Sequence, residues 1–143
     1  VSNFAPSQYT LLSSRLDFPL VTNEVQISVV HHDAMLDGTL DQCQQLRIHP
    51  LAWSPLGGGR LFADSAQAER VRQELSAIGD DLGGYSVDQV ALAWLLQHPA
   101  GILPILGTLR SERLAAQVRA EEIALTREQW FRIWVAWTGA RLP

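Results

Sequence analysis

The sequence lacks lysine altogether, because all 11 of its basic residues are arginine. Any mechanism that needs a lysine ammonium next to its acid or base is therefore excluded for this chain by itself. The one cysteine, Cys43, has no partner for an internal disulfide, and it fits a reducing, cytoplasmic compartment. No apolar run approaches the roughly 18 residues of a membrane span, so we expect no membrane partner.

Basic charge is scarce as well, since the formal net charge is -4 at pH 7. Nucleic-acid binding usually needs a basic patch, so we expect no nucleic-acid partner. The 143 residues, 47% of them hydrophobic, are enough for one domain with its own core. The first residue is Val1, and we therefore expect the native start to lie upstream.

Strand-like and helix-like segments alternate along the chain. Strands are predicted over residues 1–4, 20–27, 51–54 and 102–106, and helices over 6–16, 39–47, 66–78, 87–97, 111–119 and 126–137. Capping-box patterns begin at Thr39, Ser86 and Thr126. Alternation of this kind predicts an α/β fold with parallel strands. Because a closed (β/α)8 barrel needs eight strands and about 250 residues, the sequence predicts about half a barrel, or an open sheet of its own.

Polar and glycine residues follow the predicted strands, at the end where α/β folds bind ligands. Ser2 and Asn3 follow the first strand, Gln26 lies near the end of the second, and Trp53 precedes a glycine loop, residues 54–60 (SPLGGGR). Glycines allow a phosphate to approach the backbone N–H groups closely. The loop matches neither GxGxxG nor a P-loop, so those nucleotide-binding classes are excluded.

A second polar segment, residues 107–113 (GTLRSER), follows the last predicted strand. Its Arg113 offers a guanidinium group, which suits bidentate contact with a phosphate. Gln117 lies one helical turn further on.

Taken together, these segments resemble the aldo-keto reductase family in order and spacing, from residue 1 to about residue 137, and most closely its compact bacterial members. The resemblance implies a (β/α)8 barrel that transfers a hydride between a nicotinamide dinucleotide, usually NADP(H), and a small-molecule carbonyl or alcohol. It also implies that residues 1–143 form the C-terminal half of one barrel domain, about four β/α units plus a terminal helix, with the N-terminal half absent.

The resemblance also implies roles for individual residues. The nicotinamide carboxamide would be held by Ser2, Asn3 and Gln26, and Trp53 would stack on the nicotinamide ring. The pyrophosphate would be held by Ser54, Leu56, Gly57 and Gly58, with added charge from Arg60. The adenosine phosphate would be held by Gly107, Thr108, Arg110 and Arg113, with Gln117 beside the adenine. Many members have lysine where this chain has Gly107, which leaves NAD(H) possible.

The family's catalytic tetrad of tyrosine, lysine, aspartate and histidine comes from the earlier strands of the barrel. A phenol with a pKa near 10 needs a nearby cation to exchange its proton easily, and this chain has no lysine. Tyr9 and Tyr85 match no tetrad position. We therefore predict no catalytic residue and expect the isolated chain to be inactive.

Two other functions remain open at this point. The chain is either a non-catalytic subunit that binds a nicotinamide nucleotide, or a half-barrel fragment that pairs with its other half or with another copy, because unpaired sheet edges are adhesive. The adjacent residues His31, His32 and Asp33 diverge in direction, so we predict a polar loop near the substrate mouth and no metal site.

Overall fold

The computed structural model describes residues 1–140; residues 141–143 of the predicted domain lie outside that description. The α-helices are α1 (Pro6–Ser13), α2 (Asp33–Leu36), α3 (Thr39–Leu46), α4 (Ala66–Asp81), α5 (Val87–Leu96), α6 (Ser111–Val118) and α7 (Arg127–Thr138). The strands are β1 (Glu24–Gln26), β2 (Leu51–Trp53) and β3 (Leu103–Pro104). Short 3-10 helices cover Gly57–Phe62 and Arg119–Glu122.

The strands form a parallel sheet in the order β1-β2-β3. Leu51 pairs with Glu24 on one side and with Leu103 on the other, and Trp53 pairs with Gln26. Parallel strands need crossover connections, and here helices supply them, as the alternating sequence pattern predicts. The carboxyl ends of all three strands therefore meet at one edge of the sheet.

The strands are shorter than predicted. Where the first strand was predicted, the structure has a single parallel bridge between Ser2 and Glu24. The sheet described within residues 1–140 therefore has three strands where four were predicted. The second begins at Glu24 instead of residue 20, and the fourth covers only Leu103 and Pro104. Proline has no N–H to donate to a ladder and is confined to sheet edges, which is where β3 lies.

The core lies between one face of the sheet and the helices. Val25 and Ala52 point to this face and are buried. They share one cluster with apolar residues of α4 and α5, among them Val71, Leu75, Ile78, Val90 and Trp94. The opposite face carries the alternate strand residues Leu51, Trp53 and Leu103, which are only partly buried or exposed. One face of the sheet is thus covered by helices, and the other is not.

Two of the three predicted capping boxes are confirmed. At α7 the Thr126 hydroxyl accepts from the Gln129 N–H at 3.2 Å, and the Thr126 N–H donates to Gln129 Oε1 at 2.8 Å. At α5 the Ser86 N–H likewise donates to Gln89 Oε1. The box at Thr39 is wrong, because α3 is capped by Gly38 in the left-handed region. Gln42, whose side chain would close that box, instead donates to Pro6 O and Thr10 Oγ1.

None of the helices within residues 1–140 is long and apolar enough to cross a membrane.

Candidate functional site

Four predicted site residues meet at the carboxyl ends of the strands. Ser2 is bridged to Glu24 at the start of β1, and Asn3 follows it. Gln26 and Trp53 are register partners at the ends of β1 and β2. The parallel sheet thus brings together side chains that are up to 51 positions apart in the sequence.

Hydrogen bonds connect three of these residues in a chain. The indole Nε1–H of Trp53 donates to Asn3 Oδ1 at 2.9 Å, Asn3 Nδ2 donates to Ser2 Oγ at 3.2 Å, and Ser2 Oγ donates to Glu24 O at 3.2 Å. The Asn3 backbone N–H also donates to Glu24 O, at 2.7 Å. Asn3 has a φ of 56°, in the left-handed region that asparagine tolerates better than most residues. Its amide group is therefore held from both sides.

The glycine loop after β2 has an unusual backbone. Ser54, Gly57, Gly58 and Gly59 all have positive φ, which glycine adopts without steric cost. Gly57 also leaves no room for a side chain, since a Cβ there would clash with Val30 Cγ2. Gly57 is buried, whereas Gly58 and Gly59 are exposed. The loop therefore packs on the core through Gly57 and presents its next two glycines outward.

A groove of about 650 Å³ joins the glycine loop to the segment that follows β3. Its lining includes seven predicted residues: Ser54, Leu56, Gly58, Gly107, Thr108, Arg113 and Gln117. The groove also has residues that the sequence did not single out, namely Pro55, Gly59, Phe62, Ile105, Leu106 and Leu109. Among these, Phe62 and Leu109 have large apolar side chains that are exposed. The sequence alone does not show which apolar residues are exposed.

Three predicted residues do not line this groove. Gly57 lies beneath it, as its burial shows. Arg60 is exposed and turns back, so that its Nε donates to Gly57 O at 3.4 Å. Arg110 is the N-cap residue of α6 and is exposed, with its backbone N–H donating to Thr108 Oγ1.

Gln117 has an acceptor with no partner. Only 4% of this residue is exposed, and its Nε2 donates to Asp88 Oδ2 at 3.2 Å. Its Oε1 is buried and has no hydrogen-bond partner within residues 1–140. Buried polar atoms almost always have a partner, so this one, at the wall of a groove, fits a ligand that brings a donor.

A smaller cavity of about 180 Å³ lies at the ends of the first strands. Asn3 and Gln26 line it together with His31, Asp33 and Thr39. His31 Nε2 lies 3.7 Å from Asp33 Oδ2. The polar loop predicted here is wrong in part, because Asp33 begins α2 and His32 is buried. Among the described residues no group of three or more His, Cys, Asp or Glu side chains is arranged to hold a metal ion.

The other chemically active side chains lie away from the strand ends. The Tyr9 hydroxyl, on α1, donates to Leu20 O at 2.8 Å, and burial raises its pKa. Tyr85 precedes α5, with the Arg119 guanidinium 5.8 Å from the centre of its ring. Burial raises the pKa of the Cys43 thiol, which keeps that thiol protonated. Two larger depressions, of about 810 and 790 Å³, lie along α7 and contain none of the predicted residues.

A family model described as Aldo/keto reductase family matches residues 1–137. The chain belongs to the aldo-keto reductase family. It is similar to the thermostable aldo-keto reductase Tm1743, solved in complex with the inhibitor epalrestat, with a TM-score of 0.82 and 29% identity over 94% of this chain and 46% of that one. The prediction of an α/β half-barrel of this family is confirmed.

Two curated relatives show how much of each longer protein this chain matches. The oxidoreductase YdhF of Escherichia coli (strain K12) is 52% identical over 143 residues, which are 100% of this chain and 48% of YdhF. A 6-dehydroglucose reductase of Agrobacterium fabrum is 39% identical over 139 residues, which are 97% of this chain and 46% of that enzyme. This aldo-keto reductase chain thus spans about half the length of the curated relatives that it matches.

Proposed function

We propose that this chain is the dinucleotide-binding half of an NADP(H)-dependent aldo-keto reductase that interconverts a small carbonyl compound and its alcohol. One observation carries the proposal. A single groove joins the glycine loop to Arg113 and Gln117 at the carboxyl ends of parallel strands, where α/β folds bind ligands.

The groove has the polar groups that a dinucleotide needs. In this proposal the exposed Gly58 and its loop neighbours Ser54 and Leu56 hold the pyrophosphate, because left-handed glycines leave backbone N–H groups accessible. Gln117 Oε1 accepts a hydrogen bond from the exocyclic amino group of adenine. The buried acceptor without a partner supports this part of the proposal.

We propose that Arg113 makes the site prefer NADP(H) to NAD(H). It lies in the first turns of α6, whose N-terminus presents N–H groups without a side-chain cap. A guanidinium and a helix N-terminus both favour a phosphate group. Arg110 and Thr108 add donors nearby, and Arg60 adds charge at the rim of the loop.

The nicotinamide end would be held at the strand ends. Ser2, Asn3 and Gln26 offer amide and hydroxyl groups to the carboxamide, and Trp53 offers a flat aromatic face to the ring. The dinucleotide, when bound, supplies or accepts the hydride, and these residues bind and orient it. We propose that a proton donor outside this chain completes the reaction, because the Tyr9 hydroxyl is engaged with Leu20 O.

We further propose a partner for the uncovered face of the sheet. Leu103 and Ile105 are 48% and 38% exposed, at the β3 edge. The chain's match to about half of each relative supports an occupant with further strands, either the N-terminal half of the barrel or a second copy. The single cysteine favours a reducing, cytoplasmic location.

Binding of NADPH and NADH to the purified chain tests the proposal. We expect NADPH to bind more tightly than NADH. The Arg113→Ala substitution should weaken NADPH binding by about 10- to 100-fold, because a charge-assisted hydrogen bond is lost. The affinity for NADH should change much less, since NADH lacks the 2′-phosphate. Arg70→Ala, an exposed arginine on α4, is the matched control. Isothermal titration calorimetry gives all the dissociation constants.

Three results would contradict the proposal or a part of it. If the wild-type chain binds neither nucleotide, or if Arg113→Ala weakens NADPH and NADH equally, the groove does not hold the adenosine phosphate. Carbonyl reduction by the isolated chain, clearly above a blank without protein, would contradict the part of the proposal that places the proton donor elsewhere.

A further inference from the structure

We infer that Trp53 is a positioning residue, whose indole N–H fixes the orientation of the Asn3 amide so that Asn3 presents a hydrogen-bond donor to the nicotinamide carboxamide. This inference rests on the proposed function, and it adds the reason why Asn3 acts as a donor there.

The hydrogen bonds around Asn3 determine which way its amide points. The indole Nε1 of Trp53 can only donate, and it lies 2.9 Å from Asn3 Oδ1. With the amide reversed, the Asn3 NH₂ group would face the indole N–H, and two donors would oppose each other. The observed orientation is therefore the only one of the two that makes this bond.

That orientation leaves one donor available. Asn3 Nδ2 carries two hydrogens and donates one bond, to Ser2 Oγ at 3.2 Å. The part of the chain that the structure describes contains no partner for the second hydrogen. Asn3 is exposed and lines the small cavity at the strand ends, so a ligand can reach this donor. A carbonyl oxygen, such as that of a carboxamide, is the matching acceptor.

The indole reaches Asn3 across an intervening strand. Asn3 follows the segment bonded to β1, whereas Trp53 belongs to β2 on the other side of β1. Neighbouring strands lie about 4.8 Å apart, so the Trp53 and Asn3 side chains together span roughly twice that distance. Tryptophan combines a long side chain with an N–H donor on its five-membered ring. Phenylalanine keeps an aromatic face but has no donor, so the Trp53→Phe substitution removes the bond and retains a ring.

The test compares two ligands that differ at the nicotinamide end. NADPH carries the nicotinamide, and 2′,5′-ADP has the same adenosine phosphate end without it. Calorimetry on the wild-type chain, Trp53→Phe, Asn3→Ala and the double variant gives a double-mutant cycle for each ligand. Trp137→Phe, a tryptophan substitution on α7, is the matched control.

We expect Trp53→Phe to weaken NADPH about 3- to 10-fold, as the loss of one neutral hydrogen bond implies. Binding of 2′,5′-ADP should stay within about 2-fold, because the adenosine end does not contact this pair. In the Asn3→Ala background the Trp53→Phe substitution should leave the affinity for NADPH almost unchanged, since the hydrogen bond is already absent.

A second measurement keeps Trp53 in place. In a ¹⁵N–¹H spectrum the indole N–H resonance of Trp53, assigned by triple-resonance experiments on the wild-type chain, should shift upfield in Asn3→Ala. If Trp53→Phe does not fold, this shift and the NADPH affinity of Asn3→Ala carry the test without it.

The outcomes separate this inference from the function beneath it. If the wild-type chain binds neither ligand, the proposed function fails and the inference fails with it. If both ligands bind but Trp53→Phe weakens them equally, or weakens NADPH as much without Asn3 as with it, only the inference is overturned. An unchanged indole resonance in Asn3→Ala overturns it as well.

Discussion

At the residue scale, the buried imidazole of His32 has a consequence that can be measured. It packs against the rings of Trp94 and Trp134, with centroid distances of 5.2 and 4.3 Å, and its Nε2 lies 3.1 Å from Val29 O. Its Nδ1 has no hydrogen-bond partner within residues 1–140. Desolvation by burial lowers the pKa of His32 to about 4, despite the opposing effects of Val29 O and Asp33. The folded chain therefore holds His32 neutral.

We expect the chain to lose stability as the pH falls from 7 to 5. Between pH 6.5 and about 4 the unfolded state binds a proton at His32 that the folded state does not, so the free energy of unfolding decreases with decreasing pH. The loss should be about 2 kcal/mol at pH 5. Urea unfolding at both pH values, followed by circular dichroism, measures it.

His32→Phe is the control for this prediction, because it keeps a ring against the tryptophans and removes the titrating group. Burial also lowers the pKa of His98, so some pH dependence of the same sign should persist in the variant. A pH dependence as steep in His32→Phe as in the wild-type chain would show that His32 is not its source.

Individual residues differ in how well the sequence predicts them. Arg113, Gln117, Ser54 and Gly58 were assigned to one site by the resemblance to the aldo-keto reductases, and all four line one groove. The hydrogen bond between Trp53 and Asn3 could not be predicted from the sequence, because it requires the Trp53 side chain to reach over β1. The role of Gly57 was missed for a similar reason: its contact with Val30 depends on packing between segments distant in sequence.

At the scale of elements, α5 and α7 are joined by a reciprocal pair of indole hydrogen bonds. Trp94 Nε1 donates to Trp130 O at 3.0 Å, and Trp130 Nε1 donates to Trp94 O at 2.9 Å. The two rings are stacked, with centroids 4.6 Å apart. α7 also contacts α4, where Arg132 Nη2 lies 2.6 Å from Glu74 Oε1. These contacts fix α7 on the outside of the helix layer.

We expect Trp130→Phe to lower the free energy of unfolding by about 1–2 kcal/mol, because it removes the donor to Trp94 O but keeps an aromatic ring. Trp137→Phe on the same helix should cost less, since the indole N–H of Trp137 has no partner within residues 1–140. Urea unfolding of the two variants makes the comparison. Equal losses would mean that ring size, and not the hydrogen bond, holds α7.

The caps and faces of α5 and α7 could be predicted because capping boxes and apolar spacing are local. The N-terminus of α3 could not be predicted, since Gln42 reaches to Pro6 O and Thr10 Oγ1, which are 36 and 32 positions away. Strand lengths were overestimated because the apolar pattern continues past the point where hydrogen-bonded partners end.

For the whole molecule, the uncovered face of the sheet decides how the chain behaves at high concentration. Leu103 and Ile105 point to this face at the edge of β3. Exposed apolar edges favour pairing with further strands. A net charge of only -4 opposes such association weakly.

We expect the isolated chain to associate as its concentration increases, and Leu103→Arg to weaken association at least about 10-fold, because burying a leucine contributes about 1.5–3 kcal/mol. Leu36→Arg places the same charge on an exposed leucine of α2 and should have little effect. Sedimentation velocity from micromolar to millimolar chain distinguishes the variants. A wild-type chain that stays monomeric throughout would rule out association through this face.

The arrangement of the five tryptophans gives the chain two separate optical signals. Four of them lie on α5 and α7, and the rings of Trp94, Trp130 and Trp134 are close enough for their excited states to couple. Trp53 lies apart, at the end of β2. Exciton bands in circular dichroism therefore report on the docking of α7, whereas quenching of Trp53 emission reports on what occupies the strand ends.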